Sequence, residues 1–218
     1  MLFTIQFVTK YLSLCQVILG VINRLIIRME AFFNHLLQFE TLSKHEIELI
    51  KANVYCKNIA AKTNILEPGQ ISKRLGFVLS GVIRIFYYDD NGNEVIHCFH
   101  NENHFIGDLE SYQSSMATER YIQTITDCTV VFFNKENDEY LNKTLDKWPI
   151  LVRKLTESAL MAKINNMKNL VHADAKTKYL EFLKKHADIV QRIPLGDLAS
   201  YLGIAQPSLS RIRKSIII

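Results

Sequence analysis

The chain has 218 residues, of which 48% are hydrophobic and 22% charged, with a formal net charge of +4. These proportions are those of an ordinary folded protein and exclude collagen-like, low-complexity and wholly disordered chains, and the length suits one or two domains. Cysteines at 15, 56, 98 and 128 are too scattered for a CxxC metal site or a disulfide scaffold, so a reducing, cytoplasmic setting is expected. The charge is uneven: +3 over residues 1–28, −6 over 29–149 and +7 over 150–218. A polyanion is therefore expected at the C-terminal end of an otherwise acidic body.

Residues 1–28 form an apolar leader, with charge-free stretches at 1–9 and 11–23 around Lys10. Lys10, Gln6, Gln16 and Asn23 weaken a membrane-spanning reading, and no positive charge precedes Lys10 as a signal peptide requires. Leu12-Ser13-Leu14-Cys15 loosely resembles a lipoprotein box, but Leu14 is too large for the residue before the cysteine. The expected reading is an over-extended start, with Met29 as the natural first residue; a membrane anchor or an extra docking helix are the alternatives.

From Glu30 to about Tyr55 apolar residues recur at helical spacing (Phe32, Phe33, Leu36, Leu37, then Ile47, Leu49, Ile50, Val54). Ser43 followed by Glu46 forms a capping box, which predicts two helices split near Thr41. The pattern then shortens to period two. Pro68-Gly69 is a turn, Phe77–Gly81 and Val82–Tyr88 are strands, and Asn91-Gly92 predicts a hairpin to Val95–Phe99. Ile122–Phe133 supplies two more strands, broken near Asp127. Short strands at this spacing predict an antiparallel roll or barrel over 29–147.

Helical periodicity returns after Lys135. Trp148-Pro149 opens a long helix over 148–173, in which Leu160, Ile164, Met167 and Val171 fall at spacings of 4, 3 and 4. That two-heptad seam is expected to pair with a second copy of the chain. Lys176–His186 predicts another helix. Residues 195–214 then fit a helix-turn-helix within a domain over 174–218. Ala199 permits a close helix crossing, Gly203 permits positive φ, and Pro207 suits a first helical turn. Leu198, Leu202, Ile204, Leu209 and Ile212 form its core. Arg211 is expected to contact a base, Gln206, Ser208 and Ser210 to contact bases or phosphates, and Arg213 and Lys214 to contact phosphates.

In this order of elements the chain resembles the Crp/Fnr superfamily of transcription regulators. The resemblance runs over about residues 30–214. It rests on Leu66-Glu67-Pro68-Gly69-Gln70, Val78–Ile85, Phe105-Ile106-Gly107-Asp108 and Ile193–Lys214. The ending Leu209-Ser210-Arg211-Ile212-Arg213 resembles the Bacteroidetes branch. The resemblance implies an α+β chain: an antiparallel cyclic-nucleotide-binding-type roll with flanking helices, a long dimerisation helix and a C-terminal helix-turn-helix. It further implies a homodimer that binds double-stranded DNA and works with RNA polymerase. The family's phosphate cassette maps onto Gly107, Asp108, Thr118, Glu119 and Arg120. Asp108 takes the ribose-facing acidic position, Thr118 replaces the phosphate-binding arginine, and Glu119 puts an anion beside the phosphate. Cyclic AMP is therefore not expected as the ligand, and the effector is left open.

The spacing of Cys15 and Cys56 does not suit an iron–sulfur cluster. In a strand His97 and Cys98 point to opposite faces, and His100 to His104 reads as a polar hairpin tip with exposed loop histidines, so no metal site, no cofactor and no catalytic constellation is expected. The chain stops four residues after Lys214, so a β-hairpin wing is not expected. The alternative is a small-molecule- or cyclic-nucleotide-binding module without effective DNA affinity, and a metal-dependent roll enzyme is a third reading.

Overall fold

The structure, a computed structural model, describes residues 29–168 and 174–216. The apolar leader 1–28 lies outside the described residues. Residues 29–37 form helix α1, and α2 (Lys44–Ala52) follows with the expected capping box. Ser43 N donates to Glu46 Oε2 at 2.6 Å, and Glu46 N donates to Ser43 Oγ at 3.3 Å. Asn53 caps α2 at its C-terminus, so the helix stops short of Tyr55 and the expected helical run is too long. Tyr55 instead opens strand β1 (Tyr55–Ile59), which pairs along its whole length with the central strand of its sheet.

The strands β2 (Asn64–Leu66), β3 (Arg74–Ser80), β4 (Ile83–Tyr88), β5 (Glu94–His100), β6 (Phe105–Ile106), β7 (Tyr121–Thr124) and β8 (Cys128–Asn134) complete two four-stranded antiparallel sheets. Their orders are β1-β8-β3-β6 and β2-β7-β4-β5. Between β4 and β5, Asp89 Oδ1 accepts the N–H groups of Asn91 and Asn93, and Gly92 takes φ +78. Ile83, Ile85 and Ile122 of one sheet meet Val78, Val130 and Phe132 of the other, and these residues form the interior of the roll.

Helices α3 (Leu109–Ser114), α4 (Lys135–Thr144) and α5 (Lys147–Lys168) follow the strands or interrupt them. The outer face of the first sheet is covered by helices. Phe77 and Val131 pack with Phe32, Leu36, Ile50, Leu141, Trp148 and Leu151. Trp148 Nε1 donates to Asp138 Oδ1 at 2.7 Å, which satisfies the indole while its ring stays buried. Lys147 and Lys154 reach Glu46 and Glu40 at 3.3 and 2.7 Å, and so tie α5 to the N-terminal helices.

The C-terminal unit comprises α6 (Ala175–Lys185), α7 (Leu195–Leu202) and α8 (Gln206–Ile216). It has its own core of Tyr179, Phe182, Ile189, Leu198, Leu202 and Leu209, and that core continues into the roll through Val82, Phe99 and Ile125. The roll and the C-terminal unit therefore share an apolar junction. At its edge Gly81 takes φ +107, and a Cβ there would lie 2.3 Å from Cys128 Sγ and 2.6 Å from the carbonyl oxygen of Asp127. The Gly81→Ala change combines a disfavoured φ with a backbone clash. It should cost about 3 kcal/mol, read as a lower urea midpoint for the roll.

Candidate nucleic-acid interface and effector pocket

The helix-turn-helix forms as its residues dictate. Pro194 is the N-cap of α7, and Asp197 lies in its first turn. Gly203 ends the helix in the left-handed region at φ 67, and its N–H donates to the carbonyls of Ala199 and Ser200. Nothing lies within 4 Å of where a Cβ would sit on Gly203, so φ alone requires the glycine there. Ala199 and Leu209 are buried where α7 and α8 cross. Pro207 occupies the first turn of α8, where a missing N–H leaves no bond unmade.

Leu209 and Ile212 turn α8 toward the core. With 3.6 residues per turn, the opposite side carries Ser210, Arg211 and Lys214, with Gln206 at the N-terminal end. Gln206, Arg211 and Lys214 are exposed, whereas Ser208, Ser210 and Arg213 are half-buried. Arg211 Nε donates only to the carbonyl of Pro207 in its own helix, at 3.4 Å, so its guanidinium has no carboxylate partner among the described residues. The face is thus polar, basic and accessible.

The roll cassette is closed on itself. Asp108 is the N-cap of α3. Its Oδ1 accepts the Ser111 N–H at 3.1 Å, and its Oδ2 accepts the Thr118 hydroxyl at 2.5 Å. Thr118 is buried. Its hydroxyl oxygen also accepts the Arg120 N–H at 3.1 Å, and its backbone exchanges bonds with Gly69 and Gln70. Gly107 takes a positive φ of 152, which favours glycine, and a Cβ there would lie 2.4 Å from Leu75 Cδ2. Glu119 and Arg120 are exposed. The backbone turns Glu119 to solvent because Thr118 takes the inward position, so Glu119 does not stand beside the Asp108–Thr118 pair as an anion facing a phosphate would. Of the five cassette positions, the structure brings together Gly107, Asp108 and Thr118.

The histidines also depart from expectation. His104 is exposed, but His97 and His100 are half-buried on β5, and the 101–104 turn packs against the C-terminal unit. They are therefore not all residues of a free hairpin tip. Lys163 Nζ of α5 lies 3.4 Å from His97 Nε2, and burial together with Lys163 and Arg120 lowers the His97 pKa. His100 Nε2 is 3.4 Å from Cys98 Sγ, while its Nδ1 is buried without a hydrogen-bond partner. Burial, with His104, His97 and Lys163 nearby, pushes His100 down to about 4, and burial pushes Cys98 up to about 11. Among the described residues no three His, Cys, Asp or Glu side chains come together as ligands for a metal.

On α5, Leu160, Met161 and Ile164 are exposed apolar residues. Val171 lies outside the described residues, as does the side chain of Met167. Among the described residues, no helix is long and apolar enough to cross a membrane.

The polar contacts at the junction between roll and C-terminal unit had no signal in the sequence. Arg192 grips Glu102 with bonds of 2.8 and 3.0 Å, and Asn101 Nδ2 donates to Asp188 Oδ2 at 2.8 Å. Arg84 Nη1 lies 3.1 Å from Asp197. The Ser200 hydroxyl donates to the carbonyl of Glu94 and accepts the Ile96 N–H. Burial tends to raise Glu102, but the bonds from Arg192 and the Gly81 N–H outweigh it and hold the carboxyl below its ordinary range.

A double-sheet roll, a long helix with exposed apolar residues and a helix-turn-helix together define a two-part architecture. The family described as Cyclic nucleotide-binding domain matches residues 56–141. The CRP-like protein Clp of Xanthomonas campestris pv. campestris is 24% identical over 104 residues, covering 48% of this chain and 45% of Clp. The chain thus matches slightly less than half of that relative's length. The cAMP-activated global transcriptional regulator CRP of Salmonella typhimurium is 19% identical over 182 residues, covering 78% and 86% of the two chains. A solved structure of the c-di-GMP responsive global regulator CLP from X. campestris superposes with a TM-score of 0.64 at 18% identity, covering 80% of this chain and 91% of that one. A putative Crp/Fnr-family regulator from Eubacterium rectale superposes at 0.60 and 17% identity, covering 80% and 83%. Residues 56–141 thus match the cyclic nucleotide-binding domain family, and the chain as a whole is similar in fold to regulators of the Crp/Fnr type.

The histidine environment carries a pH dependence. His100 binds a proton near pH 6.5 when unfolded and only near pH 4 when folded, so protonation favours the unfolded chain between those values. His35, His97 and His186 are shifted downward in the same sense, each chiefly by burial. Stability is expected to fall as pH drops from about 7 to about 5, read as lower urea midpoints, with a shallower fall in His100→Leu.

Proposed function

We propose that the chain is a cytoplasmic, homodimeric, DNA-binding transcription regulator whose roll responds to a small effector other than cyclic AMP. The observation that carries the DNA-binding part is the accessible face of α8, where Arg211 and Lys214 stand exposed at the end of a C-terminal segment with a charge of +7. Arg211 offers a two-pronged donor suited to a guanine edge, while Arg213 and Lys214 flank it as phosphate contacts. The exposed residues Leu160, Met161 and Ile164 on α5 support pairing with a second copy. Two copies would present two reading helices about one helical turn of DNA apart, roughly 34 Å. RNA polymerase is the natural partner of such a regulator once it is bound at a promoter.

Asp108 and Thr118 support an effector other than cyclic AMP. Each uses its side chain on the other, so a cyclic nucleotide would have to break the Asp108–Thr118 bond. It would find no arginine at position 118 in return. Breaking one part-buried charge-assisted bond costs on the order of 1.5–3 kcal/mol before any ligand contact is made.

Two measurements test the reading. In a gel shift with its own promoter region, Arg211→Ala should bind about 5- to 150-fold more weakly than wild type, corresponding to about 1–3 kcal/mol. Equal binding by the two proteins rejects α8 as the reading helix. In a thermal-shift assay, about 1 mM cyclic AMP should leave Tm unchanged, whereas a rise of several degrees means the cassette opens to that ligand.

A further inference from the structure

We propose that Glu102 and Arg192 are positioning residues for DNA reading: their ion pair fixes the C-terminal unit on the roll and so sets the spacing at which the two reading helices of a dimer meet a duplex. This rests on the dimeric DNA-binding reading above.

Glu102 joins three parts of the molecule. It lies in the turn between β5 and β6, where Asn103 takes φ 65. One of its carboxylate oxygens accepts the Gly81 N–H at 2.7 Å, at the corner between β3 and β4. The same carboxylate receives both terminal nitrogens of Arg192, at 2.8 and 3.0 Å. A two-pronged arginine–carboxylate pair fixes orientation as well as distance, because the guanidinium is planar and its donors diverge at set angles. Arg192 itself sits just before α7, so the pair acts close to the base of the helix-turn-helix.

The neighbouring contacts restrain the same unit along one edge. Asn101 holds Asp188 on one side of the pair, while Ser200 and Asp197 hold β4 and β5 on the other. Phe99 lies 5.3 Å from the Tyr201 ring and 6.3 Å from the Phe182 ring, between these polar contacts. Intrachain junctions with a small apolar centre and a polar rim normally permit domain motion, so a directional pair at the rim determines which orientation is populated.

This docking leaves the reading face open. Gln206, Arg211 and Lys214 remain exposed while Arg192 is held. The pair therefore acts on where α8 points, not on whether DNA can reach it. Each half-site is read by one α8 alone, and the distance between half-sites is read by the docking geometry.

The test separates these two quantities. A half-site is first selected by wild-type protein from a random duplex library. Gel shifts then use that half-site singly and as inverted repeats at a series of spacings. Wild type should prefer its best spacing by at least about tenfold over one displaced by half a helical turn, roughly 5 base pairs. Arg192→Ala should reduce that preference to about threefold or less, while single half-site binding changes by less than about twofold. Arg192→Lys, which keeps the charge but not the two-pronged geometry, should fall between them. Lys147→Ala, which loses an equal charge from an ion pair between α5 and α2, should keep the wild-type preference. If Arg192→Ala fails to melt cooperatively, Glu102→Gln, which retains an acceptor for Gly81, serves in its place. An unchanged spacing preference overturns the proposal, and so does an equal loss on the single half-site. If wild-type protein selects no duplex, the DNA-reading function fails first, and this role falls with it.

Discussion

Strand β8 is buried on both faces. Val130 and Phe132 point into the roll, whereas Val131 points into the helical layer with Phe32, Ile50 and Trp148. Its pairing partners are β1 on one side and β3 on the other, so it also has no free edge. Once this strand is placed, the register of its sheet is set, because a slip by one residue would exchange the two cores. The same strand begins at Cys128, against the corner where Gly81 and Val82 meet the C-terminal unit. The roll, the helical layer and the junction with the C-terminal unit all hang from it.

Around that frame, charge is handled differently in each part. In the cassette, a carboxylate is satisfied locally by the cap of α3 and by a buried threonine. At the junction, carboxylates are satisfied across a distance, by Arg84 and Arg192. On α8, the arginine that faces outward has only its own backbone as partner. Pairing within the roll and its junction thus leaves positive charge without a carboxylate partner on the exposed face of α8.

The junction is modest in strength. Its ion pairs are partly exposed, and exposed pairs contribute little net stability. Its apolar centre is a few side chains, chiefly Val82, Phe99 and Ile125 on the roll side. A contact of this kind, with a small apolar centre and a polar rim, orients the C-terminal unit without locking it.

Local periodicity made much of the chain legible. Ser43 and Glu46 announced α2, Asp89–Asn93 announced a hairpin, and Gly203 between Leu202 and Ile204 announced the turn before α8. In each case the signal and the structure it specifies lie within a few residues, because helices and tight turns close their hydrogen bonds locally. The order of these elements was enough to suggest the superfamily. Strand β1, the two-residue β6 and the short α3 were not legible, since their pairing or packing partners lie far away in sequence. The same holds for the candidate sites. The outward set on α8 follows from helical spacing alone. The inward turn of Thr118, the outward turn of Glu119, the burial of His100 and the pairing of Glu102 with Arg192 were decided by tertiary structure. Those outcomes depend on which segments, 10 to 90 residues apart, come to lie side by side. No local preference of either partner encodes such a meeting; the packing of two sheets and a docked helical unit creates it.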